Sequence, residues 1–439
     1  MGLAVTARVL IVARDDRYAG PLALGLDRLG WRSVTARGEQ GALAAAGDLP
    51  IEACIVDLSG GDPELHALPA RLKSAALPRR LPVVGIGASE DDPALDLAVP
   101  QSLEPAQAAA RLEALVRSAV AEEELALRRE TFAERGAPLR ERATDTGPLL
   151  VLTVGEPAPR FLALSNALGE AGAEVVAALT PYTAFDYLHE RDFHAVVLWS
   201  GDRPAEALSI ASGIRRNTRL YHTPTVLIGE GGEPTAGEAF SRGVSDLVAV
   251  EAGAAEAARR TLSLARLYRR ELAIRATLEA GRGSGLMDAA TGLFTRELFA
   301  AHLARMSEAA RVRRRRLSVA VLKIAERPAA ALARREGSLD RAMPQIGSMM
   351  GRLVRVEDTA ARLGPEVFAL ALPAAGLAEA RAAAERIAAV LACTAFESRS
   401  GSAPFTLDFE IGAAELEPGE AAARTLERAA AKVLSRAAG

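Results

Sequence analysis

The chain has 439 residues, enough for about three domains at a prior of roughly 150 residues each. Apolar residues make up 49%, sufficient for ordinary cores, while aromatics are only 4% and Lys is scarce beside Arg. The formal net charge of -3 gives no global pull toward nucleic acid or an anionic membrane. No run approaches the ~18 apolar residues of a membrane span. The N-terminus lacks the charged-then-apolar layout of a signal peptide, so a cytoplasmic protein without membrane insertion is expected. Five scattered histidines give no metal-ligand spacing, and Cys54 and Cys393 are expected to be buried reduced thiols.

The first unit opens with ARVLIVARDD, a short buried-type strand ending in acids. The helical PLALGLDRLG, the strands ACIVDLSGG and LPVVGIG, and a long closing helix follow. Short apolar runs alternating with helical periods predict βαβ units on a parallel sheet, with a functional crevice beyond the strand carboxyl ends. The same order then repeats in LLVLTVGEP, FLALSNALGEAGAEVVAAL, HAVVLWSGD, TPTVLIGEGG and a second long helix, so the chain carries a tandem duplication. A charged helical linker at 122–147 and a flexible GRGSG at 281–285 are expected to join the units.

The third unit mixes helices with the strands LSVAVLKIA, AARLGPEVFALALP and FTLDFEIGAAEL. Gly364–Pro365 between two strand-like halves predicts a hairpin.

The first unit resembles the response-regulator receiver domain. That family places two acids after strand one, a phospho-accepting Asp after strand three, a Ser/Thr after strand four and a Lys after strand five. Here Asp15 and Asp16 stand at the positions that would hold Mg²⁺, and Asp57 at the phospho-acceptor position. Gly87 replaces the hydroxyl residue and Gln101 falls near the Lys position, so the reporting half of the switch is missing. The second unit has Gly155-Glu156, Trp199 and Val250 at the corresponding places, with no carboxylate to phosphorylate at 199. The resemblance implies that it packs and pairs, making a homodimer through the receivers the expected assembly.

The third unit resembles the GGDEF domain of diguanylate cyclases. Its opening motif is Asp288, Thr291, Gly292, Leu293 and Arg296, with Thr295 where the family reads guanine with Asn. The family holds two metal ions and nucleotide phosphates with carboxylates and cations. Lys323 stands where the first metal Asp would, Ile324-Ala325 where a second is usual, and Ala437 where a phosphate-binding Lys would. The signature loop is Gly364-Pro365-Glu366-Val367-Phe368, keeping one carboxylate, so no catalysis is expected. The family's allosteric mark for cyclic di-GMP, Arg-x-x-Asp five residues before that loop, is present as Arg355 and Asp358, with Arg386 as the assisting Arg from the next helix. An Arg fork suits guanine O6 and N7, and a carboxylate suits guanine N–H donors. Arg142 to Asp145 matches the same spacing but lacks the register. The basic run RVRRRRL, Arg311 to Leu317, is expected to be a solvated helix end rather than a nucleic-acid surface, because no aromatics interleave with it.

The expected architecture is α/β: two tandem doubly wound (βα)5 receiver domains at 1–121 and 148–280, then an α+β, nucleotidyl-cyclase-like GGDEF domain at 286–439. The resemblance extends to the cyclic di-GMP effectors of dimorphic alphaproteobacteria. It implies a pole-recruited adaptor that delivers a cell-cycle transcription regulator to the ClpXP protease through the further adaptor RcdA. The alternative is a response regulator signalling through Asp57, with the third unit as passive scaffold.

Overall fold

The computed structural model describes residues 7–88, 92–99, 104–140, 146–201, 203–229, 234–398 and 403–437. The N-terminal domain runs β1 (Arg8–Val12), α1 (Asp16–Arg28), β2 (Arg32–Ala36), α2 (Glu39–Asp48), β3 (Ile51–Asp57), α3 (Pro63–Ala75), β4 (Val83–Ile86), β5 (Leu97–Val99) and α4 (Pro105–Glu134). Its parallel sheet has the order β2-β1-β3-β4-β5. Because side chains alternate along a strand, Val9 and Ile11 meet α1 and α4 on one face while Leu10 and Val12 meet α2 and α3 on the other. Among the described residues no helix joins β4 to β5, a departure from the (βα)5 expectation for this unit.

The middle domain repeats the plan with β6 (Leu149–Val154), α5 (Pro159–Glu170), β7 (Ala173–Ala178), α6 (Pro181–Glu190), β8 (Ala195–Trp199), α7 (Pro204–Arg216), β9 (Thr225–Gly229), α8 (Ala236–Ser241), β10 (Asp246–Ala249) and α9 (Ala254–Ala280). Its order, β10-β9-β8-β6-β7, is the same topology, again all parallel.

The C-terminal domain comprises α10 (Arg296–Val312), β11 (Leu317–Ile324), α11 (Pro328–Arg335), α12 (Ser338–Leu353), β12 (Thr359–Gly364), β13 (Val367–Pro373), α13 (Leu377–Ala392), β14 (Phe409–Glu415) and α14 (Ala422–Ala437). The sheet is antiparallel in the order β12-β13-β11-β14. The hairpin turns at Pro365-Glu366, one residue later than expected, because Gly364 pairs with Val367 and closes a two-residue loop.

The expected linker at 122–147 is not a separate spacer. Residues 122–134 continue α4, and their charged side chains Glu123, Glu124 and Arg128 are buried. The end of α4 belongs to the C-terminal core, where Phe132 packs edge-on against Phe294 with ring centroids 5.6 Å apart. GRGSG is likewise held: Gly281–Ser284 form a 3-10 turn, and a Cβ at Gly281 would meet Leu139 at 2.8 Å.

The last helices of the two parallel-sheet domains, α4 and α9, pack on each other within one chain. Arg111 of α4 pairs with Asp246 at the start of β10, which Arg260 also holds, Nε to Oδ2 at 2.9 Å. The last helix and strand of the middle domain are thus joined to the N-terminal domain of the same chain. Cys54 is buried, and burial pushes its thiol pKa up. Cys393 is exposed, contrary to expectation, because it caps α13 past the last buried residue, Leu391. Among the described residues no helix is long and apolar enough to cross a membrane.

Candidate functional site

Asp57 ends β3, as a doubly wound acceptor would, but its carboxylate has a partner in place. Ser59 donates to Oδ1 through both Oγ (2.6 Å) and its backbone N–H (3.1 Å). Gly87 has φ +69°, and a Cβ there would lie 2.7 Å from Ser59 Cα. The missing hydroxyl at 87 is therefore enforced by Ser59 and by a backbone conformation that favours glycine. Asp15 caps α1 and binds Arg17 at 2.7 and 2.9 Å, which holds its carboxyl below the usual range, while Asp16 binds Arg37. As arranged, both carboxylates face guanidinium groups. Among the described residues no three His, Cys, Asp or Glu side chains are grouped to hold a metal ion. Gln101 lies outside the described residues, as do Arg142 and Asp145.

In the middle domain Trp199 ends β8 and closes over Gly155, where a Cβ would come within 2.6 Å of the Trp199 Cβ. Trp199 joins the apolar cluster under α5 and α9, Glu156 pairs with Arg203 at 3.5 Å, and Val250 begins a 3-10 turn after β10.

The opening motif of the C-terminal domain is a turn and a cap. Asp288 accepts from Thr291 N and Oγ1 at 2.9 and 2.7 Å, Gly292 takes φ +67°, and Thr295 caps α10. Lys323 sits in β11 opposite Val367 and Glu410. Glu366, at the hairpin tip, is held by both nitrogens of the Arg334 fork, one at 2.6 Å, and Arg334 also reaches Glu326 at 3.2 Å. The cation facing the retained carboxylate is thus a side chain of α11. Ala437 ends α14.

The Arg-x-x-Asp stretch turns the chain from α12 into β12. Asp358 N donates to Arg355 O and Arg355 N donates to Asp358 Oδ2, both at 3.2 Å. The turn is largely closed to solvent: Asp358 is only 8% exposed and Glu357 is buried beside it. Desolvation, reinforced by the Glu357 charge, pushes the Asp358 carboxyl up to about 7. Arg386 of α13 lies beside the turn, its Nη2 3.5 Å from Leu353 O, the last carbonyl of α12. All three expected residues therefore meet at the end of α12.

Other domains supply groups that sequence reasoning did not identify. The carbonyls at a helix C-terminus lack intrahelical donors and favour cations. At α12 they are met by Arg275 of α9, donating to Gly351 O (3.0 Å) and Val354 O (2.9 Å), and by His222 Nε2, donating to Arg352 O (3.1 Å). Burial and the surrounding arginines lower the His222 pKa well below the ordinary range. Arg128 of α4 donates to the next carbonyls, Val356 (2.8 Å), Glu357 and Asp358 (2.9 Å each), and Arg117 pairs with Glu357 at 3.4 Å. Arg117, Ala121, Glu124 and Arg128 follow helical spacing. Arg117, Glu124 and Arg128 thus share one face of α4, and that spacing was the available signal.

Arg311, Arg314 and Arg316 of the basic run are exposed, as expected of a helix end, but the Arg315 side chain is only 5% exposed. Arg315 lies buried between Glu52 of β3, at 2.8 Å, and Glu123 of α4. Arg314 donates to Asp48 O at 2.9 Å. The run clamps the C-terminal domain to the N-terminal one.

Residues 285–438 match the family described as diguanylate cyclase, GGDEF domain. No curated protein matches the chain. Among solved structures the chain is similar to the GGDEF domain of DgcB from Caulobacter crescentus in complex with c-di-GMP, at 25% identity and TM-score 0.32, covering 34% of this chain and 86% of that one. The coiled coil and GGDEF domain of DgcB, also with c-di-GMP, gives 26% identity and TM-score 0.34 over 42% and 94%. The GGDEF domain of FimX from Pseudomonas aeruginosa gives 24% identity and TM-score 0.32 over 35% and 94%.

Proposed function

We propose, for a chain whose residues 285–438 form a GGDEF domain, that this domain is a catalytically inactive diguanylate-cyclase homologue serving as a cyclic di-GMP receptor. The observation that carries the reading is the convergence of Arg355, Asp358 and Arg386 on the turn after α12, in register with the hairpin. Two guanidinium groups supply donors for guanine and phosphate oxygens, and the carboxylate accepts from guanine N–H groups. Inactivity is supported by Lys323 at the metal position and by Arg334 holding Glu366. A fixed guanidinium beside the retained carboxylate opposes a second cation there.

The receiver–receiver–GGDEF order resembles that of PopA. On that resemblance the chain is an adaptor that brings a cell-cycle transcription regulator to ClpXP through RcdA at a cell pole, with a homodimer formed on a face other than the α4–α9 contact. The packing of all three domains around the Arg355–Asp358 turn supports an adaptor whose domain arrangement answers to ligand, through preference for one arrangement over another. The deciding experiment is calorimetric titration of cyclic di-GMP into the wild type and Arg355→Gly, alongside incubation with GTP and Mg²⁺ or Mn²⁺. Micromolar or tighter binding lost in the variant, with no product from GTP, is expected. Absence of binding in the wild type would refute the receptor, and product formation would refute the inactivity.

A further inference from the structure

Arg386 is already covered. The Tyr221 ring centroid lies 5.1 Å from its guanidinium carbon, and His222, edge-on to Tyr221 at 4.9 Å, bonds the Arg352 carbonyl. Both residues sit in the 217–224 connection between α7 and β9, at the amino end of the middle sheet and away from its carboxyl-end crevice. We infer that the Tyr221–His222 segment is an intrachain competitor for the cyclic dinucleotide, occupying the face of Arg386 on which a guanine would stack, so that ligand binding and docking of the middle domain on α12 exclude one another. The inference rests on reading the Arg355 turn as a receptor site.

Three features support it. An aromatic face over a guanidinium is the contact a purine would make with the same group. The segment is also held in shape from below, so Tyr221 is presented rather than loose. Arg215 donates to Gly243 O (2.8 Å), Thr223 O (3.2 Å) and Ser245 Oγ (3.0 Å), and Asn217 Oδ1 accepts from Arg219 N at 2.9 Å. Finally, the interface is incompletely satisfied. Nε of Arg386 is buried without a hydrogen-bond partner among the described residues. Buried polar groups left unpaired favour separation of the surfaces or capture of a polar ligand.

The test compares wild type, Tyr221→Ala and Tyr221→Phe in the full chain, by calorimetric titration of cyclic di-GMP and by hydrogen exchange of residues 351–358 without ligand. Losing the aromatic face raises the binding-competent fraction, so Tyr221→Ala binds about 3- to 10-fold more tightly and exchanges faster, whereas Tyr221→Phe matches wild type. Equal or weaker binding by Tyr221→Ala, with wild-type binding intact, overturns the competitor and leaves the receptor standing. No binding by any of the three overturns both, since nothing is then displaced. An unfolding midpoint for Tyr221→Ala near wild type shows that altered affinity does not come from a damaged fold.

Discussion

Arg128, on the helix that ends the N-terminal domain, donates from Nη2 to the main-chain oxygen of Asp358, 2.9 Å away in the C-terminal domain. The same guanidinium bonds the carbonyls of Val356 and Glu357. The backbone of the Arg-x-x-Asp turn is therefore positioned by a residue more than two hundred places earlier, itself 1% exposed. Any ligand that reshapes this turn changes what α4 must hold.

Arg128→Ala leaves those carbonyls buried without donors and removes a side chain from a closed interface. A loss of about 2–4 kcal/mol is expected, read as a lower denaturant midpoint. Arg128→Lys restores little of it, because an ammonium cannot fork across successive carbonyls. A midpoint unchanged in Arg128→Ala would show that the hub contributes nothing.

Asp358 gives the interface a pH dependence. Its carboxyl is pushed from 3.8 up to about 7 by burial and Glu357, so between these values the folded chain holds a proton that the unfolded chain has released. The associated stability is fully present below the lower value and is lost as pH rises through the upper one. The unfolding temperature should fall between about pH 4 and about pH 7, and Asp358→Asn should flatten this slope. A slope identical in the variant would assign the dependence to other groups.

Arg315, 5% exposed in its side chain, sits between Glu52 and Glu123. Removing one member of a buried ion cluster costs roughly 3–5 kcal/mol, so Arg315→Ala should destabilise the chain strongly and raise proteolysis between the N- and C-terminal domains. An exposed basic run would predict no such effect, and a variant as stable as wild type would restore that view.

Gly87→Ser tests whether the switch hydroxyl can be put back. With φ +69° and Ser59 Cα 2.7 Å from the added Cβ, the substitution should cost about 1–3 kcal/mol. It should not increase labelling of Asp57 by acetyl phosphate. Normal stability with increased labelling would show that the acceptor site is merely incomplete rather than closed.

The periodicity of apolar runs was sufficient to read two successive parallel-sheet units and a mixed third, because strand alternation and helix repeat are local consequences of backbone geometry. The Arg355–Asp358 register was equally legible, since a motif and its hairpin lie within one short stretch of chain. Local pattern could not say that 122–134 is core rather than linker, or that Arg315 is clamped rather than solvated. Charged residues look alike in sequence whether they face water or a partner from another domain.

Sequence by itself determined most of the elements, the duplication and the register of Arg355 and Asp358 against the hairpin. Only the tertiary structure decided that the turn is buried, that Arg128, Arg275 and His222 supply donors to the carbonyls around it, and that Tyr221 lies on Arg386. The physical reason is range. Propensity and spacing act over a few residues, whereas desolvation and hydrogen-bond satisfaction depend on which distant segments the fold presses together.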